Sequence, residues 1–390
     1  MDAFSTPPPA GTLTPTHCPN PACPFHRPGK GWRYKKAGSF LRQPRPSAGD
    51  EGARQPGPKE QVQRFRCLHC GRHFSASTYA VTYWLRLRHL LIPIAQLAVS
   101  GAGLRQIARS LGISPSTVGR HLARAARQGL LLHSNFLTDN PFDEAVAVDG
   151  FETFEYSQAF PCHLHLAIGR ESWLIQGFLD SPLRRKGRMT VRQKKERERL
   201  ETTLGRPDPK AVETDMGLLI EELLDRVRPG QALHLFSDEH PAYARAIRRI
   251  EERRRIRIDH GTISSRAART PQNPLFVINA TDAFLRHSQA NHRRETLAGS
   301  KRRQMGIERL AVFMVWRNLI KRQFEDGRVE SSAMLGGWTD RMWHWGMVFR
   351  RRLFRTHIIL PRRWGEYYDR MVKTLIYGER QVVHACKYAY

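Results

Sequence analysis

Acidic residues, cysteines and long apolar runs are all scarce in this chain of 390 residues, and each scarcity narrows what it can be. Asp and Glu number 36 against 64 Lys and Arg, giving a formal net charge of +28. Such a surplus repels itself unless a polyanion shares the surface, and nucleic acid is the ordinary one. The longest apolar stretch, Leu90 to Val99, is interrupted by Pro93 and falls short of the ~20 residues that a membrane span needs, so no membrane partner is expected. The opening segment, Met1 to Pro9, has neither a basic flank nor an apolar block, so no secretory signal is readable. The expected setting is cytoplasmic, beside the nucleoid. Six cysteines, four of them in two short pairs, suit zinc in a reducing compartment better than a disulfide framework. Cys162 and Cys386 are left over and read as buried thiols.

What is present divides the chain. Residues 1–76 read as a zinc ribbon whose insertion, Arg42 to Gln61, is rich in Pro, Gly, Ser and charge and should be a loose, disordered loop. Residues 77–135 carry helical apolar spacing through Leu104, Ile107, Leu111, Val118 and Leu122, enough for an all-α helix-turn-helix domain. The period then falls to two over Ala145–Tyr156, His163–Ile168 and Trp173–Leu179, which read as three consecutive strands. A basic insertion follows at about 181–210, with nine basic residues between Arg184 and Arg199 and almost nothing apolar. Beyond it the pattern gives a helix over Val212–Val227, a strand over Gln231–Phe236 that ends at Asp238, a helix over Pro241–Ile250, a short strand at Ile256–Ile258, and mostly helix from Asn273 to Ile320. This order predicts an α/β core over 140–325, a mixed sheet with helices on its faces, followed by a basic, aromatic helical region over 326–390.

Three groups of residues carry chemistry. Cys18, Cys23, Cys67 and Cys70 sit in two tight turns, and four thiolates converging on one zinc leave no vacant position, so the site is structural; His26 could replace one sulfur. In the helix-turn-helix, Gly112 allows the turn and Ser114-Pro115 cap and open the second helix. Its first half would enter the major groove, with Ser116, Thr117, Arg120 and His121 facing DNA, Arg124 adding charge, and Val118 and Leu122 packing inward. Asp149 lies on the first core strand and Asp238 at the end of a later one, where a carboxylate is costly without a cation; a strand-end cap is the plainer reading of either alone. His163 and His165 share one strand face and read as sheet surface. Trp338, Trp343, Trp345, Trp364, Tyr367 and Tyr368 lie among arginines, and bulky aromatics are more often core or dimer contact than a stacking platform for bases.

Taken in order, the ribbon, the helix-turn-helix, the segment Val148–Phe154, the segment Leu235–Tyr243 and the block Asn291–Arg302 resemble the DDE-type transposases of small bacterial insertion sequences, over about residues 15–320. The pattern resembles that of the insertion-sequence-one-like members. The resemblance implies an RNase H-like core in which two aspartates and a third residue, Glu or in some branches Asn, hold two magnesium ions. Asp149 and Asp238 take the first two positions. Family spacing lands on Asn279 for the third; Asp282, one helical turn on, and Glu295 are the other choices. The resemblance also implies that Arg293, Arg294 and Lys301, with His287, His292, Arg302 and Arg303 on the same long helical segment, attend the scissile phosphate. Double-stranded DNA, as element ends and as target, would be the substrate, and a homodimer or higher synaptic assembly would hold two ends together. The competing reading is a non-catalytic DNA-binding regulator derived from such an enzyme.

Overall fold

The computed structural model describes residues 14–42, 59–141, 143–293 and 296–378. Near the start, β1 (Tyr34–Arg42), β2 (Glu60–Cys67) and β3 (His73–Ser75) form an antiparallel sheet in the order β1-β2-β3. Arg42 pairs with Glu60 in register, so the hairpin claims both ends of the expected loop; its interior, 43–58, lies outside the described residues.

Three helices follow: α1 (Leu91–Val99), α2 (Leu104–Ser110) and α3 (Pro115–Asp139). Ser114 caps α3, its Oγ accepting from Thr117 N–H at 3.2 Å, Pro115 opens the helix, and Gly112 takes the positive φ (+60°) that the turn requires. Leu90, Ile94, Ala98, Ile107, Ala108, Val118 and Leu122 form a small core of their own. α3 does not stop at the expected boundary near 135. Its later apolar residues, Ala125, Ala126, Leu130, Leu131 and Leu137, join the main core, so helix-turn-helix and sheet share one body.

That main core surrounds a five-stranded sheet in the order β6-β5-β4-β7-β8, built from β4 (Val146–Phe154), β5 (Pro161–Gly169), β6 (Ile175–Pro182), β7 (His234–Asp238) and β8 (Asp259–Ile263). β4, β5 and β6 are antiparallel neighbours, whereas β4, β7 and β8 run parallel. Between β6 and β7 come α4 (Val191–Leu204) and α5 (Ala211–Leu224), and α6 (Pro241–Arg254) joins β7 to β8. α4 buries no residue, as its basic, apolar-poor sequence dictates. α6 runs further than expected, through Arg254, with Arg255 left-handed behind it, which displaces the last strand from 256–258 to 259–263.

The stretch from 273 to 320 is two helices and not one: α7 (Phe276–Ser288) and α8 (Arg303–Val315). The chain between them satisfies its backbone elsewhere, since Ala290 O accepts from Thr296 Oγ1 (2.8 Å) and Ser300 O accepts from Tyr156 N–H (2.8 Å). α8 packs along α3 so closely that a Cβ added at Gly129 would stand 2.9 Å from Val315 Cγ2. Gly129→Val should therefore overpack this contact and lower unfolding free energy by about 1–3 kcal/mol, read as a lower denaturant midpoint at unchanged slope.

The C-terminal aromatics are core, as their bulk suggests. Trp364 Nε1 donates to Phe178 O (2.9 Å) and Tyr367 stacks on Phe178, which covers the edge strand β6. Upstream, Gln128 on α3 donates to Val348 O and Arg351 O, and Phe354 enters the ribbon's core beside Phe65, Phe74 and Tyr79.

Candidate functional site

The ribbon gathers its four cysteines. Cys18 and Cys70 sulfurs lie 3.6 Å apart, Cys23 and Cys67 sulfurs 3.9 Å apart, and all four donor atoms fall within 4.8 Å of one another. Burial pushes the Cys18 and Cys23 thiols up, whereas N–H groups of Cys70, Trp32 and His69 turned toward Cys67 outweigh its burial and bring that thiol down to about 6. An all-sulfur tetrad of this span fits a structural zinc ion. His26 is not in the set: its ring nitrogens meet Cys18 O and Thr356 Oγ1.

The acids are brought together by strand register. Val146 lies beside Leu235 and Ala147 beside Phe236, and the same parallel register carried two residues on sets Asp149 beside Asp238 on one face of the sheet. α7 crosses β4 and β5 and brings Asp282 to the same place. Burial and then Asp238 push the Asp149 carboxyl up to about 6, against the Gly150 N–H that donates to its Oδ1 (2.6 Å) and against Arg269. Burial and then Asp149 push Asp282 up to about 8, against Arg286. Tyr243 is raised too, by burial and then by Asp149, Asp238 and Asp282 together. Asp282 Oδ1 is shut off from water and makes no hydrogen bond, although the residue as a whole is half-buried. Among the described residues only the cysteines bring three or more Cys, His, Asp or Glu donors within 4.8 Å, so the acids stand wider than a single-ion cluster. Oxygen donors with one orphaned, buried oxygen fit hard divalent cations such as magnesium. Asn279, one turn before Asp282, donates its amide to Leu275 O (2.9 Å) within its own helix.

A pH dependence follows from these raised carboxyls. In the unfolded chain both acids ionise near pH 4, whereas the fold holds protons to about 6 and about 8. The metal-free fold therefore loses stability as pH rises from about 4 to about 8. The melting temperature should fall across that window, magnesium should restore more of it at pH 8 than at pH 5, and Asp282→Asn should flatten the slope.

His163 and His165 pair with Glu152 and Gly150 across the β4–β5 ladder, while Asp149 pairs with Leu166, so both rings project from the face opposite the acids. They are buried rather than sheet surface, because α5 and α6 cover that face. His165 Nε2 meets Ser181 Oγ (2.7 Å), which donates to Asp215 (2.7 Å), and Tyr243 OH lies 3.4 Å from His163. Burial, then His240, holds His163 down at about 4.

On α3, Ser116 and Arg120 are exposed and Thr117 is half-buried, as a groove-facing surface requires. Two residues of that expected surface lie elsewhere. His121 is 1% exposed, with its ring nitrogens at Thr117 O (2.9 Å) and Leu87 O (3.1 Å). Arg124 donates to Val81 O (2.9 Å), and burial lowers it to about 9. Both positions fall where the helical face turns from α2 toward the core. Arg120→Ala should weaken duplex binding by about 5- to 50-fold and reduce the salt dependence of log Kd by about one, checked by anisotropy titrations at several salt concentrations.

Of the basic residues expected on one long helical segment, His287 ends α7 and Arg303 opens α8, while His292, Arg293, Lys301 and Arg302 lie between the two helices. His292 and Arg303 are buried, Arg303 on Asp180 (2.8 Å), and so do not face a phosphate. Arg293 is exposed and donates to His287 O (3.1 Å), and Lys301 donates to Tyr156 O (3.2 Å); Arg294 and Glu295 lie outside the described residues. Beside the acids is a cavity of about 430 Å3 lined by Phe151, Glu152, Thr153, Phe154, Arg286, His292 and Arg293. Period-two spacing puts Phe151 on the Asp149 face, but no sequence signal pairs it with Arg286, whose guanidinium lies 4.7 Å from its ring centre.

Among the described residues no helix is long and apolar enough to cross a membrane. A comparison with curated proteins gives no match. Residues 93–125 match a family of helix-turn-helix domains. The chain thus carries a helix-turn-helix domain, which indicates DNA binding, joined to a mixed α/β body with a cysteine cluster able to hold zinc.

Proposed function

We propose that the chain is an insertion-sequence transposase that grips the terminal inverted repeats of its element and cuts and joins DNA strands at Asp149, Asp238 and Asp282. The observation that carries this reading is the meeting of three half-buried acids from two parallel strands and a helix, where burial and then a neighbouring carboxylate raise Asp149 and Asp282 above the usual range. The mixed sheet with helices on its faces is compatible with the RNase H-like core that the resemblance implies, and the matched helix-turn-helix family is one found in transposases.

Two magnesium ions bound by these carboxylates would activate the attacking oxygen and stabilise the leaving one. Asp282 is preferred over Asn279 as the third ligand because it supplies charge and an oxygen with no other partner. Arg286 and Arg269, which act on Asp282 and Asp149, are cations positioned to meet a scissile phosphate. Water is the first nucleophile, and the freed 3′ hydroxyl then attacks target DNA. The ribbon and α3 hold the element end, and a homodimer holds two ends at once. The non-catalytic regulator remains the second reading, favoured by Asn279 standing where the family pattern asks for the third ligand.

A nicking assay separates them. DNA carrying the sequences that flank the reading frame is incubated with the full chain and magnesium or manganese. Metal-dependent nicks ending in 3′ hydroxyls at the element boundary support the enzyme, and binding with no cleavage under any divalent ion supports the regulator.

A further inference from the structure

Leu297 is fully exposed, at 103% of its reference area, in a chain whose neighbouring surface is basic. It is held out by construction. Thr296 Oγ1 donates to Ala290 O (2.8 Å) and accepts from Ala298 N–H (2.9 Å), fixing the residues on either side of it. A Cβ added at Gly103, the residue before α2, would stand 3.3 Å from Ala298 Cβ, so this side of the loop rests on the helix-turn-helix. Gly299 lies against the Phe154 ring at the end of β4, where an added Cβ would be 2.9 Å away, and Ser300 is buried with its carbonyl on Tyr156 N–H. The loop thus bridges the DNA-binding helices and the acid-bearing sheet, with one bare isobutyl group at its tip. Arg293 and Lys301 stand exposed on either side.

The cavity lined by Phe151, Phe154, Arg286, His292 and Arg293 lies under the same loop, since Phe154 touches Gly299 and Arg293 belongs to the loop's first arm. At about 430 Å3 it has room for one nucleotide, with the Phe154 ring to stack a base and Arg293 for its phosphate, while Arg286 lies over the Phe151 ring and Glu152 also lines the cavity. Phe151 is two residues beyond Asp149 on one strand face, and Arg286 is one turn beyond Asp282, so the cavity adjoins the acids.

We infer that Leu297 is a wedge that enters the base stack of duplex DNA next to the cleavage point, and that the adjoining cavity receives the nucleotide it displaces. An apolar side chain flanked by cations is the chemistry that unstacks a base step while phosphates are held on both sides. The inference rests on the proposed reading of the chain as a duplex-DNA enzyme and adds to it a binding site for a single extruded nucleotide.

The test uses the zinc-loaded full chain and two duplexes of about 30 base pairs, identical except for one central T·T mismatch, titrated by fluorescence anisotropy at fixed salt. Because a mismatched base is already cheap to unstack, the wild-type chain should prefer the mismatched duplex by about tenfold or more. Leu297→Ala should cut that preference to about twofold or less with intact-duplex affinity and salt dependence unchanged, and Leu297→Phe should keep it. Since the side chain contacts nothing, neither variant should alter the melting temperature. Equal wild-type affinity for the two duplexes, or a preference that survives in Leu297→Ala, overturns the wedge alone. Failure to bind either duplex removes the DNA reading beneath it as well.

Discussion

Asp149→Asn and Asp238→Asn should each abolish strand cleavage and joining, with a loss of at least roughly a thousandfold, about 4 kcal/mol of transition-state stabilisation. Duplex binding should stay within a few-fold of wild type, because both side chains lie on the sheet, well away in sequence and element from the exposed face of α3. Asp149→Asn should also raise the melting temperature of the metal-free protein. Asp149 is destabilised by burial and by its acidic neighbour, so removing its charge relieves repulsion that only a cation would otherwise offset. Activity falling while stability rises is the mark of groups gathered for function at a cost to the fold. A plain strand-end cap behaves the opposite way, losing stability on substitution and leaving cleavage untouched. Asp282→Asn should follow Asp149→Asn in both respects, whereas Asn279→Ala should act on cleavage only if its carbonyl completes the second ion.

Removing zinc should have the other large effect, confined at first to one end of the molecule. The ribbon's own core is small: Phe65, Phe74, Ala76, Tyr79 and the docked Phe354 around the cysteines. Clusters of that size do not hold a fold alone, and structural zinc supplies apparent free energies of about 10–16 kcal/mol in comparable sites. One zinc per chain is expected by elemental analysis, and Cys67→Ser should lose it. Amide exchange should then accelerate over the ribbon from Cys18 to Ser75 and over Arg352–His357. The second region follows because Arg352 N–H donates to Tyr79 O and Thr356 meets His26. The sheet should stay protected. Full zinc content in Cys67→Ser, or an unaltered exchange pattern after chelation, would refute the four-sulfur site.

How much of this is legible in the sequence depends on whether a signal is local. The alternation Ala145–Tyr156 gave β4 to within two residues, and Ser114-Pro115 marked the start of α3, because side-chain period and cap chemistry are written in adjacent residues. The end of α3 was not legible, since its apolar stripe changes partner from the helix-turn-helix core to the sheet without changing period. Helical position alone puts His121 and Arg124 toward DNA, whereas their carbonyl partners at Leu87 and Val81 come from a distant turn. The break between α7 and α8 was hidden for the same reason: Tyr156, far away in sequence, takes up the backbone carbonyl that a helix would have used. Strand position alone reads Asp149 and Asp238 as strand-end caps, and only the family resemblance makes them candidate ligands; the preference for Asp282 over Asn279 needs the packing of α7 on β4, which no spacing rule contains.

The central claim is that Asp149, Asp238 and Asp282 jointly hold divalent cations. Crystals of the full chain soaked in manganese, with diffraction recorded on both sides of the manganese absorption edge, test it most directly. The account predicts anomalous peaks about 2.1 Å from carboxylate oxygens of all three residues, lost in Asp149→Asn. Manganese bound elsewhere, or none at saturating concentration with the three carboxylates still in place, would contradict it.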